Sequence, residues 1–210
     1  MAGASDRGLR HSHNQDAMAL GEAEGLQLAV VCDGVTQSPR PESASTLAAQ
    51  TGVTILAEEL KAGSTQESAT RAACARAALA VASLATSLDD APACTYVSAV
   101  AGPDLVTVGW VGDSRAYWLP DDGPAVLLTD DDVASAGVLT AWLGADARDT
   151  GCRALGFVPD SPGCSWCAPT GSGATSTNPS PSAPPSLWRG RGRWSTTRSP
   201  RAGATTSLSY

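Results

Sequence analysis

The sequence predicts an α+β fold in which two long helices pack on one face of an antiparallel sheet. A short apolar segment, Leu26–Val31, ends at Asp-Gly and is typical of a buried strand followed by a turn. Two Ala-rich segments follow it, and short strand-like segments separated by turn residues come after them. Strands grouped after helices, without a repeated strand–helix–strand unit, are typical of the α+β class.

The two Ala-rich segments each predict a helix. The first runs from Pro41 to Lys61, because proline is favoured in the first turn and Gly63 is a stop signal. The second is expected over Ala69–Leu88, after an N-cap in the segment 65–68. Its expected buried face consists of Leu79, Val81, Leu84 and Leu88.

Short segments rich in valine and aromatic residues then predict an antiparallel meander. Turn residues such as Gly102-Pro103-Asp104 and Gly112-Asp113 separate these segments, as in hairpin connections. The predicted strands are Thr95–Ala101, Leu105–Val111, Arg115–Leu119 and Ala125–Leu128.

Length and charge narrow the functional classes. The 210 residues suffice for one domain with its own core, and no apolar segment reaches the 18 residues of a membrane-spanning helix. Residues 1–160 carry 9 Lys and Arg against 21 Asp and Glu, a net charge of -12, which excludes electrostatic tracking of nucleic acid. The N-terminus lacks the apolar segment of a secretory signal, so a cytoplasmic protein with reduced thiols is expected.

Histidine and cysteine pairs offer weak metal or redox signals. Cys164 and Cys167 form a CxxC motif, but no second pair accompanies it. His11 and His13 are two residues apart in a polar segment and are more often solvated than metal-bound. The other cysteines, which have no ligand spacing, are Cys32, Cys74, Cys94 and Cys152.

Acidic residues at strand ends carry the chemical signal. Asp33 closes the first predicted strand, Asp113 follows another, and Asp16 comes after a polar segment that contains Arg10. Carboxylates grouped this way suit Mg²⁺ or Mn²⁺, and an arginine binds phosphate bidentately. Each aspartate alone is also explained by turn chemistry, so the signal lies in the combination.

That combination resembles the metal-dependent Ser/Thr protein phosphatase family (protein phosphatase 2C, or PPM). The similarity covers residues 5–163, and the SPRPESAS segment resembles the actinobacterial branch. The family fold is a β-sandwich flanked by helices, with two metal ions at one end. The matching segments, in the family's order, are SDRGLRHSHNQDAM, VVCDGVTQSPRPESAS, TVGWVGDSRAYWL, LLTDDD and LTAWLGADA.

The resemblance implies a role for individual residues. Asp33 would bridge two Mn²⁺ or Mg²⁺ ions, and the Gly34 carbonyl would ligate one of them. Gln15 stands where the family usually has a glutamate that holds a metal-bound water, and a neutral amide weakens that site. Asp16 follows Gln15 as the aspartate of the same motif. The implied reaction is direct attack on phosphorus by a metal-bridging hydroxide. Arg10 would bind the phosphate, and Asp113 would belong to a third, weaker metal site.

Two further metal-binding motifs of the family, a late DG and a final GGxDN, are missing. No acid follows Asp160, and residues 164–210 are rich in Ser, Thr, Gly, Pro and Arg, which is typical of a disordered tail. Permitted GC-rich codons for residues 165–179, read in a shifted frame, give VVRADGLWRYLDEP, which contains the missing DG. The same shift over residues 194–210 gives a Gly-Gly segment followed by Asp-Asn. This pattern indicates a frameshifted tail on a domain that is incomplete at its C-terminus.

Three functions therefore stand at this point. The first is a phosphatase acting on phosphoserine and phosphothreonine proteins, with impaired or no activity in this chain because C-terminal metal ligands are absent. The second is a catalytically dead phosphatase-like module that binds phosphoproteins. The third is nucleic-acid binding through the Arg189–Arg201 segment (WRGRGRW), in which arginine and tryptophan are interleaved. The shifted frame explains these residues as the product of GC-rich codons read out of frame. The expected partners are phosphoproteins, without nucleic acid or a membrane.

Overall fold

Two helices, a five-stranded sheet and a three-stranded sheet form three layers in the computed structural model, which describes residues 1–3, 14–135, 137–148 and 151–169. The predicted α+β class is therefore confirmed. The larger sheet has the strand order β1-β2-β3-β4-β7, and every neighbouring pair is antiparallel. Its strands are β1 (Asp16–Ala23), β2 (Leu26–Asp33), β3 (Tyr96–Ala101), β4 (Val106–Val111) and β7 (Arg153–Phe157).

The smaller sheet has the order β6-β5-β8 and is also antiparallel. Its strands are β5 (Arg115–Pro120), β6 (Val126–Leu127) and β8 (Gly163–Ala168). The sequence predicts irregular chain from residue 164, whereas the structure continues in β8 to Ala168. Residues 170–210, including the segment considered for nucleic-acid binding, lie outside the described residues.

The two helices cover one face of the larger sheet. Helix α1 (Pro41–Lys61) has the predicted bounds, with proline in its first turn. Helix α2 (Gln66–Ala82) begins earlier and ends earlier than predicted, and the Thr65 side chain caps it by accepting a hydrogen bond from the Ser68 amide. None of the described helices is long and apolar enough to cross a membrane.

The predicted buried face of α2 is wrong in part. Leu79 is 66% exposed, and Leu88 lies beyond the helix and is 70% exposed, although Val81 is fully buried. Small side chains bury this helix instead, because they allow a close approach to α1 and the sheet. The buried residues of α2 are Ala69, Thr70, Ala73, Cys74, Ala77, Ala78 and Val81.

Two apolar cores join the three layers. One core lies between the helices and the larger sheet and includes Leu28, Leu56 and Tyr96. The other lies between the two sheets, where Val108 and Trp110 of β4 pack with Trp118 of β5. The middle sheet is thus covered on both faces, which explains why β3 and β4 are almost completely buried.

Gly109 lets helix α2 approach strand β4. A Cβ atom at Gly109 would lie 2.3 Å from the Thr70 Cγ2 atom, whereas one at Gly156 in β7 would meet only the Leu105 Cδ1 atom at 3.5 Å. We expect Gly109→Ala to lower the free energy of unfolding by about 1–3 kcal/mol because the core is overpacked. Gly156→Ala is the matched control and should change it by less than about 1 kcal/mol. Urea unfolding measures both, and equal effects would contradict the proposed close approach.

Candidate active site

The hairpin of β1 and β2 brings two of the predicted site residues together. Asp16 begins β1 and Asp33 ends β2, and the two are register partners in the antiparallel pair. A tight turn at Glu24 and Gly25, with φ of 51° and 73°, closes this hairpin and sets the register. Directly opposed residues project their side chains to the same face of a sheet, so the two carboxylates meet.

The Asp33 carboxyl is in an unfavourable electrostatic environment. Burial, the Asp16 charge, a hydrogen bond with Asp16 and the Asp113 charge together raise the pKa of Asp33 to about 8, and burial contributes most. Asp33 therefore holds a proton near neutral pH in the metal-free chain. A divalent cation would replace that proton and relieve the repulsion.

Gly34 fits a tightly packed position directly after Asp33. Its amide donates to the Gln15 carbonyl oxygen at 3.0 Å. A Cβ atom on Gly34 would lie within 2.7 Å of Pro41 atoms and 2.8 Å of the Gln15 carbonyl oxygen. The Gln15 side chain is also engaged, because its Oε1 accepts a hydrogen bond from the Thr36 hydroxyl at 2.8 Å. Hydrogen bonds and strand pairing therefore join the segment of Gln15 and Asp16 to the segment of Asp33 and Gly34.

Two buried hydroxyls that the sequence did not single out hold Asp33 in place. The Asp33 amide donates to Thr95 Oγ1 at 3.0 Å, and the Thr95 amide donates to the Asp33 carbonyl oxygen at 2.8 Å. The Thr95 and Ser114 hydroxyls are hydrogen-bonded at 2.7 Å, and both residues are buried. Ser114 follows Asp113, so this network connects the two predicted acidic strand ends. A threonine at the start of an otherwise apolar strand was the available signal.

The acidic segment 130–132 supports the turn that carries Asp113. The Asp132 carboxylate accepts from the Gly112 amide at 2.9 Å, and Arg153 forms an ion pair with the same carboxylate. The preceding acid, Asp131, accepts two hydrogen bonds from the Arg115 Nε atom and one from its Nη2 atom. These acids therefore position the site's turn through the residues on either side of Asp113.

The chemistry of the donor set fits a hard divalent cation. Carboxylates at Asp16 and Asp33 and the Gly34 carbonyl are oxygen donors, and burial, followed by the Asp16 and Asp113 charges, raises the pKa of Asp33. Within residues 1–3, 14–135, 137–148 and 151–169, however, no three His, Cys, Asp or Glu side chains are grouped closely enough to hold a metal ion. Arg10, His11 and His13 lie outside the described residues.

The CxxC motif does not form a pair in the described structure. Cys164 and Cys167 both lie in β8 and are three residues apart, so their side chains point to opposite faces of the sheet. Cys164 is exposed, whereas burial raises the pKa of Cys167 to about 12. This geometry favours the interpretation of these two residues as ordinary strand positions.

A family comparison decides the identity of this fold. The model of the family described as protein phosphatase 2C matches residues 5–153, which is more than half of the chain. The chain belongs to the protein phosphatase 2C family. The family resemblance predicted from the strand-end acids is thereby confirmed. No curated protein matches the chain.

Solved structures of bacterial serine/threonine phosphatases share the fold. The serine/threonine phosphatase Stp1 from Staphylococcus aureus has a TM-score of 0.61 and is 18% identical, covering 75% of this chain and 70% of its own. The phosphatase PstP/Ppp from Mycobacterium tuberculosis has a TM-score of 0.60 and is 20% identical, covering 74% and 71%. A PstP catalytic domain in complex with two manganese ions has a TM-score of 0.58 and is 21% identical, covering 74% and 70%.

The Thr95 hydroxyl is expected to contribute more to the stability of the fold than the Thr95 methyl group does. Thr95→Val keeps the shape but leaves the Asp33 amide and the Ser114 hydroxyl without this partner. We expect it to lower the free energy of unfolding by about 1–3 kcal/mol. Thr95→Ser keeps the hydroxyl and is the matched control, with a smaller expected loss. Denaturant unfolding of both variants checks this, and a Thr95→Ser loss as large as that of Thr95→Val would contradict it.

Proposed function

We propose that this chain is a metal-dependent protein serine/threonine phosphatase by descent, which hydrolyses phosphoesters with Mn²⁺ or Mg²⁺. The observation that supports it most is the opposed pair of Asp16 and Asp33, with Asp113 near enough to raise the pKa of Asp33. Such a concentration of negative charge destabilises the metal-free site and favours divalent cations. Family membership supports the same reaction class.

In this proposal, the described residues hold the cations and fix the geometry of the site. Asp33 and Asp16 supply carboxylate oxygens, the Gly34 carbonyl adds a neutral one, and Gln15 orients solvent beside them. Asp113 serves a weaker third site at the neighbouring turn. Thr95 restricts the position of Asp33 through its hydrogen bonds with the main chain. Arg10 is proposed to bind the substrate phosphate bidentately.

The metals supply the reactivity, and the polypeptide supplies the binding site. Divalent cations held by Asp33, Asp16 and the Gly34 carbonyl would lower the pKa of water near neutral pH and would offset charge on the phosphate oxygens. The proposed substrates are phosphoserine and phosphothreonine proteins in the cytoplasm. The PstP structure with two manganese ions supports this metal class for the family fold.

We also propose that residues 164–210 are out of frame and that activity in this chain is impaired for that reason. Among the described residues, no three His, Cys, Asp or Glu side chains are grouped closely enough to hold a metal ion. The shifted reading of residues 165–179 restores an acid directly after the position of β8. The proposed domain is therefore 5–163 plus the segment that the shifted frame encodes.

Metal binding tests the assignment of Asp33. We expect Asp33→Asn to weaken Mn²⁺ binding by on the order of a hundredfold, because one carboxylate provides much of the attraction for the cation. Asp104→Asn is the matched control, since Asp104 is an exposed acid in the turn between β3 and β4. Equilibrium dialysis with Mn²⁺ measures both variants. Unchanged binding in Asp33→Asn would refute the assigned role.

The phosphoprotein-binding module remains the second candidate, because the described metal ligands are incomplete. It predicts that the chain retains a phosphoserine peptide without hydrolysing it and that Arg10→Ala abolishes retention. Retention of the unphosphorylated peptide to the same extent would exclude this function.

A further inference from the structure

Two cysteines outside the metal site lie together between helix α2 and strand β7. Cys74 is fully buried in α2, and Cys152, directly before β7, packs against the same apolar core. The two side chains are neighbours, and each shifts the pKa of the other. Both are free cysteines in this structure.

Several contacts hold helix α2 next to the residues directly before β7. The Arg71 Nη1 atom, one helical turn before Cys74, donates to the Cys152 carbonyl oxygen at 2.9 Å. Gly109 of β4 provides the space, because a Cβ atom there would lie 3.4 Å from the Cys152 Sγ atom and 2.3 Å from Thr70. The Cys152 Sγ atom also donates to the Arg153 carbonyl oxygen at 3.3 Å. These contacts connect Cys152 to helix α2 and to strand β7.

The surroundings make the two sulfur atoms chemically different. The hydrogen bond from Cys74 and the nearby cations Arg71 and Arg153 lower the pKa of Cys152. The hydrogen bond to Cys152, followed by burial, raises the pKa of Cys74. Cys152 is partly exposed, whereas Cys74 is not. A solvent-reachable thiol near cations beside a buried second thiol is the arrangement in which the first reacts and the second resolves.

We propose that Cys152 and Cys74 are an oxidisable pair that hydrogen peroxide converts to an intramolecular disulfide, which fastens α2 to β7. The Cys152 thiolate attacks one peroxide oxygen, so that an S–O bond forms, the O–O bond breaks and hydroxide leaves. The Cys74 sulfur then attacks the sulfenic sulfur, an S–S bond forms, and the departing hydroxide takes up the thiol proton as water. In total, two thiols are oxidised by two electrons and one peroxide is reduced to two waters.

The other cysteines serve as internal comparisons. Cys32 and Cys94 are also neighbours, but both are buried, so we expect them to react with peroxide more slowly than Cys152. Cys164 is exposed, yet Cys167 faces the opposite side of β8 and cannot resolve it. Peroxide is therefore expected to link only Cys74 and Cys152 among the cysteines of this chain.

Peptide mapping of the full chain tests the pair. After mild peroxide treatment, protease digestion without reductant should yield one cross-linked peptide that contains Cys74 and Cys152, with the mass of two hydrogen atoms lost. Dithiothreitol should remove the cross-link. Two of the six free thiols should become unreactive toward maleimide. Cys164→Ser is the matched control and should leave the cross-link unchanged.

Two single variants separate the roles and keep the proposal falsifiable if one of them folds poorly. Cys152→Ser should leave Cys74 reduced, whereas Cys74→Ser should leave Cys152 as a sulfenic acid that dimedone traps. Over-oxidation of Cys152 in the wild-type chain without a cross-link would overturn the proposal. A cross-link that survives in Cys152→Ser, or one that joins two chains, would overturn it as well.

Discussion

The stability of the metal-free chain is expected to fall as the pH rises from 5 to 8, with a slope of up to about 1.4 kcal/mol per pH unit. The cause is Asp33, whose pKa in the folded chain is raised to about 8 by burial and by Asp16 and Asp113. In the unfolded chain the same carboxyl has its ordinary pKa of 3.8. Between these two values the folded chain holds a proton that the unfolded chain has released.

The sign follows from this proton difference. Since the folded chain binds more protons, the contribution of Asp33 is fully present below the unfolded pKa and is lost as the pH rises through the folded one. Because the carboxyl is partly exposed, the expected total loss of stability is on the order of 3 kcal/mol. Urea unfolding at several pH values, with chelator and reductant present, measures it.

The Asp33→Asn variant distinguishes the pH dependence of stability that Asp33 causes from the contributions of the other titratable groups. The amide carries no charge, so the variant should be more stable than the wild-type chain at pH 8 and should lose the slope between pH 5 and 8. Asp104→Asn, at an exposed acid, should retain the slope. A wild-type stability that is flat or rises over this range would contradict the raised pKa. The variant that is most stable without metal is therefore expected to bind metal least.

Local sequence signals predicted the elements but not their contacts. Helix α1 and the strand that ends at Asp33 follow from proline placement and an apolar segment, which are properties of adjacent residues. Strand β1 was missed because its residues, DAMALGEA, include no β-branched or aromatic side chain. Pairing with β2 stabilises it, and this pairing depends on the turn at Glu24 and Gly25.

In the site as well, features of adjacent residues could be predicted from the sequence, whereas contacts between distant residues could not. The turn types and acids around Asp33 and Asp113 were visible in the sequence. The Thr95–Ser114 hydrogen bond was not, since it joins residues 19 positions apart that meet only when β3 and the turn after β4 come together. The burial of α2 through its alanines likewise depends on the helix and sheet that it contacts.

Restoring the reading frame after about residue 164 is expected to raise the Mn²⁺-dependent hydrolysis of p-nitrophenyl phosphate by at least about a hundredfold in kcat/KM. The restored segment would add two aspartates to the carboxylates of Asp16 and Asp33, and the metals that they hold supply several kcal/mol of transition-state stabilisation. Resequencing the gene across the codons for residues 159–165 gives the natural frame.

The activity of the 210-residue chain is compared with that of the frame-restored chain. Three outcomes of this comparison would each refute a different proposal. Equal activity in the 210-residue chain and the frame-restored chain would refute the impairment. Inactivity of both chains, while the restored chain binds Mn²⁺, would refute the phosphatase function. Activity of the restored chain that survives Asp33→Asn would refute the role of Asp33. The expected result is activity that requires both the restored acids and Asp33, because each side of the site alone holds too few carboxylates for two cations.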